Sequence, residues 1–128
     1  MKDPWPDACP VGVSVEVADC TFGRAAEGVL VTLRREVGAQ WRLERAARTD
    51  AAGSVTGLCG RTHRGRYRLV LDLDSYFPAL GVTPRQSVVD VTFWIFHTGE
   101  SAHLRWEITP SSISVCRVVS GSDARALG

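Results

Sequence analysis

The sequence predicts an all-β fold, an antiparallel β-sandwich of seven to eight strands with one short helix. Three observations predict it. Apolar residues recur at every second position in a series of short runs, the period of a half-buried strand. Turn residues separate those runs at roughly regular intervals. One segment, Ser75-Tyr76-Phe77-Pro78-Ala79-Leu80-Gly81, breaks the alternation with helix formers and a terminating glycine.

Val13, Val15 and Val17 alternate with Ser14, Glu16 and Ala18, and that run ends at Asp19. Val29, Val31 and Leu33 alternate after Gly28, and Val37-Gly38-Ala39 turns the chain into Trp41-Arg42-Leu43-Glu44-Arg45. Ala51-Ala52-Gly53 is a turn into a short segment near Ser54–Leu58. Tyr67, Leu69, Leu71 and Leu73 form the next apolar face. The helical turn follows, with Ser75 expected as N-cap and Gly81 closing it. Val89, Val91, Phe93 and Ile95 alternate before the turn at Thr98-Gly99-Glu100. His103-Leu104-Arg105-Trp106-Glu107 is the penultimate strand, and Pro110-Ser111-Ser112 breaks it from Ile113, Val115, Arg117 and Val119. Trp94 and Trp106 read as packing residues.

A chain of 128 residues makes one domain, with 12–120 as the sandwich and the polar ends, 1–11 and 121–128, as loose segments. Net charge is +1, so neither nucleic acid nor an anionic membrane is an expected partner. No run reaches the length of a membrane span. Lys2 is the only lysine beside many arginines, alanines and valines, a codon bias that suggests a GC-rich bacterial genome. The start, Met1-Lys2-Asp3-Pro4-Trp5-Pro6-Asp7, carries no apolar secretory stretch, and a cytoplasmic location is expected. The cysteines at 9, 20, 59 and 116 lack CxxC spacing and a nearby histidine. They read as free thiols, with no metal and no cofactor implied.

On the penultimate strand, His103, Arg105 and Glu107 line one face, while Leu104, Trp106 and Ile108 line the other. The same period puts Glu16 with Ala18, and Ser114 with Cys116. His63 and His97 fall in loops and read as surface residues.

The chain resembles the transthyretin family, which includes the 5-hydroxyisourate hydrolases. The resemblance is carried by Val15-Glu16-Val17-Ala18-Asp19 through Gly23-Arg24-Ala25-Ala26, and by Trp41 with Thr49-Asp50-Ala51-Ala52-Gly53. Gly65-Arg66-Tyr67-Arg68-Leu69, Asp72, Ser75-Tyr76-Phe77 and Ala79-Leu80-Gly81 resemble the family's strand-into-helix segment most closely. Val88-Val89-Asp90-Val91-Thr92-Phe93 and Thr109-Pro110 complete it. The resemblance implies a transthyretin-like (prealbumin-like) sandwich, a homodimer or homotetramer, and a channel where dimers meet face to face. It also implies that Glu16, Ala18, Ser54, His103, Arg105, Glu107, Ser114 and Cys116 form the channel wall.

Measured against the hydrolases, that wall is altered. Their first catalytic histidine falls at Glu16 and their arginine at Ser54; their second histidine matches His103. Their closing Tyr-Arg-Gly-Ser falls at Cys116-Arg117-Val118-Val119. Ureide hydrolysis is therefore disfavoured, because groups that act as a unit fail together. Hormone transport is no better supported, with Glu16 in place of the channel-mouth lysine and Arg105 and Glu107 in place of apolar residues.

Three functions stay open. The first is an acid–base enzyme of bacterial specialised metabolism acting on a small organic molecule by cyclisation, isomerisation or hydrolysis. In it His103 and Glu16 or Glu107 would exchange protons while Arg105, with Ser54, Ser114, Cys116 and Ala18, binds substrate. The second is a non-catalytic small-molecule binder, and the third a structural module whose charged face is simply solvated. Flanking carboxylates are expected to raise the His103 pKa, and two Glu107 copies across a two-fold axis to hold one proton tightly. Cys116 is expected to be a small buried hydrophobe rather than a nucleophile.

Overall fold

The computed structural model describes residues 12–118. Its strands are β1 (Val13–Asp19), β2 (Arg24–Ala25), β3 (Leu30–Val37), β4 (Gln40–Arg48), β5 (Ser54–Val55), β6 (Gly65–Asp72), β7 (Val88–Ile95), β8 (Ala102–Ile108) and β9 (Ile113–Val118). One sheet has the order β2-β1-β8-β9, with β5 also paired to β1; the other has the order β4-β3-β6-β7. Every pairing is antiparallel except β1 with β8, which run parallel from Val13↔Ala102 to Asp19↔Ile108. Alternation could not foresee that exception, because period two is the same for both directions.

The two sheets pack through their apolar faces. Val13, Val15 and Val17 of β1 and Ala102, Leu104, Trp106 and Ile108 of β8 meet Val31, Leu33, Tyr67, Leu69, Leu71, Phe93 and Ile95 of the other sheet, all buried. Trp106 is fully buried, as the alternation requires, at roughly 2–3 kcal/mol of transfer free energy for a side chain of this size. Trp94 is different. Phe93 and Ile95 take the inward phase, so Trp94 falls on the outer face of the second sheet and is 50% exposed. There the Arg66 guanidinium lies 5.9 Å from its ring and 5.5 Å from that of Trp41.

Between β6 and β7 the helical segment is a three-residue 3-10 turn, Pro78–Leu80, shorter than expected. Its N-cap is Phe77 rather than Ser75, because Pro78 sets the first helical position and Ser75 belongs to the preceding turn. In that turn the Asp72 carboxylate accepts the amide N–H groups of Asp74 and Ser75. Gly81 closes the turn in the left-handed region at φ 79°, its N–H donating to the Pro78 carbonyl. Tyr76 and Phe77 from this segment plug one end of the core. The Tyr76 hydroxyl donates to Asp19 Oδ2 at 2.6 Å and so ties the segment to the end of β1.

β4 is an edge strand with Leu43 56% exposed, offset from β3 by a bulge opposite Leu33 and Arg34. The expected segment near Ser54–Leu58 pairs only at Ser54–Val55, and the Gly23-Arg24 turn yields the two-residue β2. Val119 and the outer segments 1–11 and 119–128 lie outside the described residues. Among the described residues no helix is long and apolar enough to cross a membrane.

Candidate functional site

The outer face of the first sheet carries three rungs of side chains. Ser14, His103 and Val118 form the first. Ser54, Glu16, Arg105 and Cys116 form the second. Ala25, Ala18, Glu107 and Ser114 form the third. All eight residues expected on the channel wall therefore share one face, and the parallel β1–β8 register brings the charged ones side by side. The inward phase of both strands is apolar except at Asp19, which ends β1, and this fixes the outward phase by elimination.

Two contacts orient this face. Arg105 Nε donates to Glu16 Oε1 at 2.9 Å, a charge-assisted bond along the second rung. Ser14 Oγ lies 2.7 Å from His103 Nδ1 on the first. Ser14 is 1% exposed, so a polar side chain has been buried beneath the imidazole. Sequence reasoning placed Ser14 in phase with Glu16 and Ala18 but gave it no role. Its partner stands 89 residues away, on a strand whose direction alternation does not encode.

The His103 pKa is lowered, against the expectation that flanking carboxylates would raise it. Burial is the largest cause; Glu16 pulls the other way, and Arg105 adds to the lowering. The imidazole is thus neutral near pH 7, with one charge of each sign, Glu16 and Arg105, on the adjacent rung. Glu107, Ser114 and Cys116 are exposed, which corrects the expectation of a buried Cys116: outward phase near the sheet edge leaves it uncovered. Cys20 and Cys59 are free thiols as well, and Cys9 lies outside the described residues. Among the described residues no group of three or more His, Cys, Asp or Glu could hold a metal ion.

Arg117 stands apart from this face. It takes the inward phase of β9, donates to the Trp94 carbonyl and pairs with Glu100 at 2.8 Å, binding β9 to the β7 side of the sandwich. His63 and His97 are exposed in loops. Two cavities open elsewhere. One of about 280 Å³ lies among Leu73, Arg85, Pro110 and Ile113, and one of about 400 Å³ among Arg24, Glu27, Tyr76 and Leu80. Neither is lined by a residue of the three charged rungs apart from Ala25 at the margin.

A sequence profile of the HIUase/Transthyretin family matches residues 13–117, which takes in both sheets and every rung residue described above except Val118. The chain belongs to the HIUase/Transthyretin family. Sea bream transthyretin, solved in complex with thyroxine, is similar over 88% of this chain and 98% of its own, with 26% identity and a TM-score of 0.77. The HIUase/transthyretin scaffold is therefore shared nearly end to end. Glu16 and Ser54 stand where the resemblance to the hydrolases would put histidine and arginine.

Proposed function

We propose that the outer face of the first sheet is one wall of a small-molecule site completed by a second copy of the chain, in a homodimer or homotetramer. We propose further that it carries out acid–base chemistry on an organic substrate bearing an anionic oxygen. Cyclisation, isomerisation and hydrolysis in bacterial specialised metabolism all fit such a site. The observation that carries this reading is the pairing of two oriented groups, His103 held by Ser14 and Arg105 held by Glu16, on the face turned away from the core. A sheet face that served only as solvated surface has no need to bury a serine under a histidine.

In the proposed site Arg105 supplies positive charge for the anionic oxygen, and His103 exchanges a proton with the substrate. Glu107, exposed one rung beyond, is the carboxylate partner, and Glu16 orients Arg105. Ala18 and Ser114 flank Glu107 with small side chains that leave room for a ligand. Ser54 and Cys116 close the two ends of the Arg105 rung. Self-association has support in the sheet edges β7 and β9, which are unpaired among the described residues and at or beside which Trp94, Phe96 and Val118 are 50%, 59% and 39% exposed.

Light scattering tests the assembly, and substrate profiling tests the chemistry. The expected outcome is an oligomer that turns over a small organic acid or enol, with His103→Ala and Glu107→Ala each losing turnover while remaining folded, the exposed Glu107 at wild-type stability. A monomer, or variants that lose nothing, would sink the reading. The second reading is a non-catalytic binder, favoured by the thyroxine complex of the sea bream protein. Under it the same variants weaken binding and no substrate is consumed. Hydroxyisourate hydrolysis is the third, and incubation with hydroxyisourate at the uncatalysed rate would retire it.

A further inference from the structure

We infer that Ser14 is a positioning residue that holds His103 with its ring proton on Nε2, so that the imidazole meets a ligand as a hydrogen-bond donor. The inference rests on the reading of this face as a ligand site and assigns the polarity of its histidine.

One buried proton decides the tautomer. The Ser14 side chain is 1% exposed, and its hydroxyl carries a single proton that must find an acceptor away from water. Among the described residues its Oγ has one partner, His103 Nδ1 at 2.7 Å. The ring nitrogen therefore accepts, and a neutral imidazole that accepts at Nδ1 carries its proton on Nε2. The opposite tautomer would point Nδ1–H at the serine oxygen and leave the hydroxyl proton buried with no acceptor. Burial keeps the ring neutral despite Glu16, and Arg105 on the next rung acts in the same direction.

A histidine donor beside the Arg105 charge selects a ligand that offers an accepting, negatively charged oxygen: a carboxylate, an enolate or a phenolate. It also divides the labour. A neutral Nε2–H stabilises the developing oxyanion or gives up its proton, and proton abstraction falls to a carboxylate, Glu107 being the exposed one on the same strand.

The test reads the tautomer directly, by long-range proton–nitrogen spectra of the ¹⁵N-labelled full chain about one unit above the ordinary histidine pKa. His103→Gln assigns the signals. In the wild-type chain His103 should show a protonated Nε2 and an unprotonated Nδ1. Ser14→Ala should raise the Nδ1–H population, and Ser14→Thr, which keeps the hydroxyl, should restore the wild-type pattern. A wild-type Nδ1–H signal, or a Ser14→Ala spectrum unchanged from wild type, overturns the inference. Benzoate and benzamidine, alike in shape and opposite in charge, then separate the inference from the reading beneath it. Benzoate should bind in preference and lose about tenfold in affinity in Ser14→Ala, as for one hydrogen bond to a charged group. An Nε2–H tautomer with neither probe bound supports the positioning role and counts against the face as a ligand site. Preferential binding of benzamidine overturns the donor assignment.

Discussion

Glu16 and Arg105 face each other across the parallel β1–β8 pair, with carboxylate Oε1 2.9 Å from guanidinium Nε. Their side chains are 29% and 37% exposed, so solvent screens the pair and its contribution to stability is at most ~1 kcal/mol. The expected result is that Glu16→Gln and Arg105→Gln each move the denaturation midpoint only slightly. Their effect on His103 should be larger and opposite in sign. Removing Glu16 takes away the charge that raises the histidine pKa, and removing Arg105 takes away one that lowers it. NMR titration of the ring should therefore move down in the first variant and up in the second. Shifts in the same direction would show that the pair acts through structure rather than charge.

His103 also links stability to pH. Its folded pKa lies below its ordinary value, so between the two the unfolded chain binds more protons than the folded one. Stability should then rise with pH through this window and level off above the ordinary value of about 6.5. Conversely, acid should weaken the fold until the folded pKa is passed. Thermal melts of wild type and His103→Gln compared across that range check the point. The variant should lose the histidine's share of the acid sensitivity, and identical slopes would refute the linkage.

Much of the fold was legible because the core has a simple period. Val13, Val15 and Val17, and Leu104, Trp106 and Ile108, could be assigned to one buried face from alternation alone, and they are all buried. The same logic put His103, Arg105 and Glu107 together. Pairwise geometry was less accessible. Ser14 meets His103, and Glu16 meets Arg105, only because β1 and β8 run parallel in one register, which is set by the whole sandwich rather than by either strand. The sign of the His103 pKa shift escaped for a related reason. Charges can be counted along a sequence, whereas the burial that outweighs them depends on the neighbouring strand. Trp94 was misplaced because aromatic size suggested packing while its phase on β7 pointed outward.

Tyr76 and Asp19 join the 3-10 segment to β1 in a buried contact. Burial, then the hydrogen bond and negative charge of Asp19, push the tyrosine pKa up to about 12. The unfolded side chain ionises first as pH rises, so stability is full below about 10 and is lost toward 12. Tyr76→Phe should cost about 1–3 kcal/mol at neutral pH, because Asp19 keeps the amides of Thr21 and Phe22 but loses its hydroxyl donor. The variant should also lose the tyrosine's part of the alkaline decline. Urea melts at neutral and alkaline pH measure both effects, and a neutral-pH cost near zero would mean that the contact is not maintained in solution.

Gly53 sets the position of β5 and therefore of Ser54 on the Glu16 rung. Its carbonyl accepts the Val17 N–H at 2.8 Å, its φ is +75°, and an added Cβ would lie 2.4 Å from the Val17 carbonyl oxygen. Gly57 makes a matched control, because its φ is +69° but nothing lies within 4 Å of an added Cβ. Gly57→Ala should cost only the backbone penalty of the left-handed region, about 1–2 kcal/mol. Gly53→Ala should cost more, at least ~2 kcal/mol, since strain and a backbone clash add together. It should also shift the amide signals of Glu16 and Ser54, as β5 is driven off β1. Equal losses in the two variants, with those signals unmoved, would show that the close approach of Gly53 to β1 does not hold the site together.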